Sequence, residues 1–343
     1  MKNIKQKIKA GISIGDLNGV GIEIIIKTFQ DNRMMDFCTP IIFGSSKVIT
    51  HHKKILEEEC HLTTIKNIAK AAPKKINLIN LWDEDLDLNI GKASTDLAKY
   101  SFNSLKKAAE ALNNNDIDLL ITAPINKNMI QKEIKDFIGH TEFLEASFEG
   151  EALMVMVSEF MKIAFITGHI PLSQVKESIT TKKIISKTII LNESLKKDFG
   201  CIKPKIAVLG INPHAGENGM LGKEENDIII PAIKKLNEKD IMAFGPYPAD
   251  SFFNLDKLKK FDGVMAMYHD QGLIPFKTLS FSDGVNYTAG LNIIRTSPVH
   301  GTGYDIAGKN QANTQSFRQS IFLACDIFKK RTDFSKLNKD SSF

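Results

Sequence analysis

Cysteine is scarce in this chain and scattered: Cys38, Cys60, Cys201 and Cys325 are its four, and no two of them form a C-x-x-C pair. That excludes a zinc ribbon, a thioredoxin-type redox site and a disulfide framework, and leaves free thiols in a reducing cytosol. Long hydrophobic runs are missing too, since nothing approaches the roughly 18 to 20 apolar residues of a membrane helix. The apolar stretch behind the early lysines (Lys2, Lys5, Lys7, Lys9) is broken by Asp16 and Glu23, which spoils a signal-peptide core, so the expected location is the cytoplasm, with no membrane partner. Nor does charge of one sign dominate. Forty-five Lys and Arg against 40 Asp and Glu leave +5, too little to mark a nucleic-acid binder but suited to a small anionic substrate. There is no internal repeat or low-complexity tract.

What is present is the composition of an ordinary globular protein, 343 residues long, 43% hydrophobic and 25% charged, enough chain for a large core and two domains. Short apolar runs at Ile8–Ile14, Pro40–Phe43, Ile117–Thr122, Met154–Val157, Ile163–Thr167, Lys205–Gly210 and Gly263–Met267 read as strands. Between them lie amphipathic stretches such as Ser94–Leu112, where Leu97, Ser101, Leu105, Ala108 and Leu112 mark one buried helical stripe, and Lys182–Leu195. The alternation predicts an α/β protein with mostly parallel or mixed sheets flanked by helices. The segment His51–Leu88, rich in Lys, Glu and Asn, is expected to carry irregular, solvated connections, and the chain after Arg331 to fray.

Three histidines share one context. His169, His214 and His269 each fall just past an apolar strand, and in open α/β sheets ligands bind outside the carboxyl ends of strands. Three imidazoles delivered there suit a divalent metal with open positions. Three loop histidines, each satisfied by one hydrogen bond, are the alternative, and without H-x-x-x-H spacing the sequence does not choose.

An anionic substrate also needs donors and cations. Gly139-His140-Thr141-Glu142 opens a helical pattern over Phe143–Phe148, where a hydroxyl and backbone N–H groups can hold an anion, unless Thr141 merely caps the helix. Lys277, Asn286 and Arg295 stand in an otherwise apolar or neutral stretch, where they face either an anionic ligand or an internal ion pair with Asp283. The glycines of Gly15-Asp-Leu-Asn-Gly19-Val-Gly21 have the wrong spacing for a G-x-G-x-x-G fingerprint, so any dinucleotide is held by another device.

In order along the chain, Gly15-Asp16, Thr122-Ala-Pro-Ile-Asn-Lys127, Gly139-His-Thr-Glu142, Gly168-His-Ile-Pro-Leu172, Asn212-Pro-His-Ala-Gly-Glu217, Gly245-Pro-Tyr-Pro-Ala-Asp250, Tyr268-His-Asp-Gln-Gly272 and Arg295-Thr-Ser-Pro-Val-His-Gly301 resemble the motifs of the 4-hydroxythreonine-4-phosphate dehydrogenase family of pyridoxal phosphate biosynthesis. The resemblance runs from about residue 8 to about residue 325. It implies that His169, His214 and His269 bind one divalent ion (zinc, magnesium, manganese or cobalt), and that His140, Thr141, Lys277, Asn286 and Arg295 contact a small phosphorylated substrate. It also implies a homodimer whose active sites draw metal ligands from both subunits.

A second likeness joins the loop His300–Asn313 to the adenosine-binding loop of the isocitrate and isopropylmalate dehydrogenases. It implies NAD, or NADP, held by His300, Gly301, Asp305 and Asn313, with Asp305 favouring an unphosphorylated ribose. It further implies a two-domain fold of that type, residues 1–138 with 300–343 against 139–299, the second carrying the metal ligands and dimer interface and the active site lying in the cleft. Where the family usually has Pro-Ala, this chain has Leu17-Asn18, which is expected to loosen that turn.

The implied reaction is NAD-dependent oxidation and decarboxylation of 4-phosphooxy-L-threonine to 3-amino-2-oxopropyl phosphate, with Asp250 relaying the hydroxyl proton as the catalytic residue. The competing readings are a family relative acting on 4-phospho-threonate, erythronate or a cis-dihydrodiol, a metal-dependent phosphoester hydrolase, and a non-catalytic ligand-binding α/β protein.

Overall fold

The structure is a computed structural model that describes residues 7–340. Twelve strands run through the described residues in chain order: β1 (Lys9–Ser13), β2 (Thr39–Gly44), β3 (Leu62–Ile65), β4 (Ile76–Asn80), β5 (Leu119–Thr122), β6 (Gly150–Val157), β7 (Lys162–Phe165), β8 (Lys205–Leu209), β9 (Met242–Tyr247), β10 (Gly263–Ala266), β11 (Val285–Leu291) and β12 (Arg295–Pro298). The described residues divide into two compact units, one made of 7–149 with Asn292–Phe328, the other of Gly150–Leu291 with 329–340.

The strands of the first unit lie in the order β3-β4-β2-β1-β5-β12, every neighbouring pair parallel. A parallel sheet is covered on both faces, so its central strands read as unbroken apolar runs; β2 and β5 are buried at every residue. The stripe Leu97, Ser101, Leu105, Ala108 and Leu112 is buried as its spacing predicts, on and just before the helix Ala98–Asn113.

In the second unit the order is β11-β6-β7-β10-β8-β9. The first two pairs are antiparallel and the rest parallel. The sheets are therefore mixed over the chain, as the alternation predicts, and β7, β10 and β8 are adjacent parallel strands.

Several boundaries differ from expectation. Residues 139–149 and 292–299 cluster with the first unit, because Phe143 joins Phe102 and Phe137 in an aromatic group and β12 pairs with β5. The final helix, Gln315–Asp340, continues past Arg331 instead of fraying. From Lys329 it belongs to the second unit, where Arg331 Nε donates to buried Asp198 at 2.7 Å and Arg331 Nη2 to the Tyr287 hydroxyl at 2.9 Å.

Within His51–Leu88, β3 and β4 replace the expected irregular connection, although 81–90 is irregular and its acidic run is solvated. Asn77 conceals β4: it is fully buried, and its amide donates to the carbonyls of Pro40, Ala72 and Lys75 while its oxygen accepts from Ala72 N–H. The Leu17-Asn18 turn is held by burial and hydrogen bonds. Leu17 and Asn18 are wholly buried, and Asn18 clamps a loop by accepting from Asn89 N–H and Gly91 N–H and donating to Lys92 O.

Candidate active site

The three histidines leave the carboxyl ends of the adjacent strands β7, β10 and β8. His169 and His269 have ring centroids 5.2 Å apart. His269 opens the helix His269–Ser280, and its Nδ1 lies 2.6 Å from an Asp270 carboxylate oxygen. A carboxylate on one ring nitrogen fixes the tautomer and leaves Nε2 to ligate, the usual arrangement at metal-binding imidazoles. His214 is exposed on a turn of left-handed backbone after β8. Among the described residues no three His, Cys, Asp or Glu side chains of one chain gather as a metal requires. The donor chemistry thus fits a divalent ion, and within one chain the His169 and His269 rings lie side by side.

Asp250 is exposed in the first turn of the short helix Ala249–Phe252, which packs against the His214 turn. In the same unit, Lys277 sits half-buried on the helix that His269 opens. No ion pair joins it to Asp283 among the described residues. Asn286, on β11, has a buried Oδ1 without a hydrogen-bond partner.

The first unit holds the other implied substrate residues. Arg295 heads β12, is 2% exposed, and donates from Nε and Nη2 to the Thr122 hydroxyl. Burial pulls its guanidinium down to about 9, against the attraction of Glu142, so it stays cationic at neutral pH. His140 begins the helix His140–Ser147, which places Thr141 inside the first turn and leaves Gly139 at the cap. Backbone N–H groups of that turn have no intrahelical partner. The His140 Nε2 is sealed from solvent and without a partner. Burial first, then the charges of Arg295 and Lys127, hold its imidazole well below the usual histidine range and therefore neutral. A neutral donor beside two cations suits an anion.

Lys127 and Glu142 were not singled out by the sequence reading, although both stand inside quoted motifs. A Cβ on Gly139 would lie 3.1 Å from Lys127 Nζ and 2.7 Å from Glu142 Oε2, so the two crowd around that glycine. Asp16 was missed as well. Tyr304 donates its hydroxyl proton to Asp16 Oδ2 at 2.7 Å and accepts from Asn126 Nδ2 at 3.1 Å. Burial pushes the Asp16 carboxyl up, against its hydrogen bonds to Tyr304 and backbone.

Tyr304 belongs to the 300–313 loop, and further ties hold it. Fully buried Glu23 accepts from Gly308 N–H at 3.1 Å and Ala312 N–H at 2.9 Å, and Lys27 donates to the carbonyls of Asn310 and Ala312. Two features of the loop fit a ligand. The His300 Nε2 is buried with no partner, and Gly301 is one of two glycines, with Gly168, at which a Cβ would meet nothing within 4 Å. Asp305 and Asn313 are exposed, and Asn313 already spends its side-chain oxygen on Gln315 N–H. No helix of the described residues is long and apolar enough to cross a membrane.

Residues 36–324 match the family model described as "Pyridoxal phosphate biosynthetic protein PdxA". A 4-hydroxythreonine-4-phosphate dehydrogenase of Bacteroides thetaiotaomicron is 45% identical over 329 residues, covering 95% of this chain and 90% of its own. A Clostridium botulinum protein named for D-threonate 4-phosphate dehydrogenase is 36% identical, covering 94% of this chain and 97% of its own. Among solved structures, the 4-hydroxythreonine-4-phosphate dehydrogenase of Klebsiella pneumoniae superposes with a TM-score of 0.80 at 33% identity, over 95% of this chain and 99% of that one.

Proposed function

This chain belongs to the PdxA family, and from that premise we propose that it oxidises 4-phosphooxy-L-threonine with NAD. The C3 hydroxyl loses its proton and C3 its hydride, and the resulting β-keto acid loses CO2 and gains a proton to give 3-amino-2-oxopropyl phosphate. The chain is a dehydrogenase. The observation that carries the fuller reading is the delivery of His169, His269 and His214 by three adjacent parallel strands at their carboxyl ends.

His169, His214 and His269 would hold the divalent ion, and since no three such side chains gather among the described residues of one chain, a second copy completes the set. When bound, such an ion would supply Lewis acidity and the nicotinamide would be the hydride acceptor. Arg295, Lys277, Asn286, His140 and Thr141 grip the phosphate and carboxylate and fix the reacting carbon. His140, being neutral, donates or accepts without adding charge. Asp250, beside the His214 turn, takes the hydroxyl proton. His300, Gly301, Asp305 and Asn313 would hold the cofactor, with Asp305 favouring an unphosphorylated ribose.

The test is absorbance at the reduced-nicotinamide band with 4-phosphooxy-L-threonine and NAD, before and after chelation and metal add-back, with H214A alongside. Metal-dependent NADH formation lost in H214A is expected. NADH only with D-threonate 4-phosphate would move the chain to the relative's substrate, and phosphate release without NADH would make it a hydrolase.

A further inference from the structure

His214 stands on a backbone that resists being made. His214, Ala215, Gly216, Glu217 and Asn218 all adopt left-handed conformations, with φ of 52°, 51°, 81°, 43° and 56°. L-residues pay for this region one by one, and only Gly216 is exempt. Such a run persists only where the surroundings over-determine it, and where they do it is commonly tied to function.

Backbone bonds hold the turn from within, Ala215 N–H to Asn212 O and Leu221 N–H to Gly216 O, and one buried carboxylate anchors the residues that lead into it. Glu225 is 2% exposed. Its Oε1 accepts from Ile211 N–H and Asn212 N–H, both at 2.8 Å, and its Oε2 accepts from Asn212 Nδ2 at 2.8 Å. The turn closes directly over it, because a Cβ on Gly216 would lie 2.6 Å from Glu225 Oε2. Glu225 itself begins a π-helical turn, Glu225–Ile229, a device that aims a side chain at the expense of regular pairing. Asn212 Nδ2 also donates to Glu224, which pairs with Lys176 at 2.7 Å on the helix Leu172–Ser178, three residues beyond His169. The supports of two of the histidines are thereby linked.

We propose that Glu225 is a positioning residue that holds the left-handed turn and so presents His214 for metal binding. The assignment rests on the reading of His214 as a ligand. The hydrogen bonds of Glu225 go to Ile211 and Asn212 and its close approach is at Gly216, so it acts through the segment that carries His214. Buried carboxylate accepting three N–H donors is a strong, rigid anchor, and a neutral amide in its place sets N–H against N–H at one of them.

The experiment titrates cobalt(II) into the chelator-stripped full-length protein, followed by its visible ligand-field bands, and measures amide hydrogen exchange across 211–219. E225Q is expected to fold, to bind cobalt about tenfold more weakly, in the range usual for supports of metal ligands, and to exchange faster in that segment. Adding A215G to E225Q, which removes part of the left-handed penalty, should recover affinity; a purely structural role for Glu225 predicts no recovery. If E225Q does not fold, N212A, which removes only the side-chain bonds to Glu224 and Glu225, should show the same weakening in smaller measure. Unchanged affinity and exchange in the folded variant, with H214A clearly weakened, would overturn the proposal alone. Unchanged affinity in H214A would remove His214 from the ligands and the proposal with it.

Discussion

Arg295 lays Nε and Nη2 on a single acceptor, the Thr122 hydroxyl, at 3.1 and 2.6 Å. The first residue of β12 is thus locked to the last of its neighbour β5. Thr122→Val keeps the shape and removes one acceptor, bonded twice, of a buried guanidinium. A loss of about 2 kcal/mol in stability is expected from the charged hydrogen bonds, with a raised KM for the phosphorylated substrate. Urea unfolding with steady-state kinetics checks both; an unchanged KM would separate Arg295 from substrate binding.

Gly301 tests the cofactor loop without disturbing the fold. Its Cβ would meet no atom and its φ is not left-handed, so Gly301→Ala should leave Tm within a degree or so of the parent while raising KM for NAD several-fold. A parent-like KM would mean that the open space before Gly301 is not where the nucleotide lies.

Asp250 is an exposed carboxylate on the short helix that packs against the His214 turn. Asp250→Asn should bind substrate with parent-like affinity while kcat falls by about 100-fold or more, the usual worth of a general base. If kcat holds, the proton leaves by another route.

His52 makes stability depend on pH. Its Nε2–H donates to the Leu17 carbonyl at 2.8 Å. Burial, opposed by that bond and assisted by His51, pulls the imidazole from 6.5 down to about 4. Between those values the unfolded chain binds a proton that the folded chain refuses. The contribution is therefore complete above pH 6.5 and is lost as pH falls toward 4, on the order of 3 kcal/mol in all. His52→Gln should flatten the difference between urea midpoints at pH 7.5 and 5; equal slopes in parent and variant would clear His52 of the effect.

Legibility in the sequence followed burial. Strands such as β2, β5 and β10, covered on both faces, appear as apolar runs because nothing else survives there. β4 and β12 do not, since Asn77 and Arg295 read as turn or surface residues until their partners, supplied from distant parts of the chain, are seen. The site shows the same division. Residue types and the strand-end context pointed to His169, His214 and His269, and composition pointed to Arg295 and Lys277. Backbone conformation did not announce itself: one glycine in the five residues His214–Asn218 gives little sign of a left-handed turn. Lys127 was hidden by its ordinary appearance at the head of a helix.

The ties on the 300–313 loop bear on thermodynamics. Glu23, Lys27 and Asp16 fasten it to the body of its unit. Its conformational entropy is therefore surrendered during folding, and any ligand that the loop contacts would give up little affinity to ordering the chain. Calorimetry on such a loop registers a heat-capacity change set by the surface the ligand covers, without the larger signature of coupled folding.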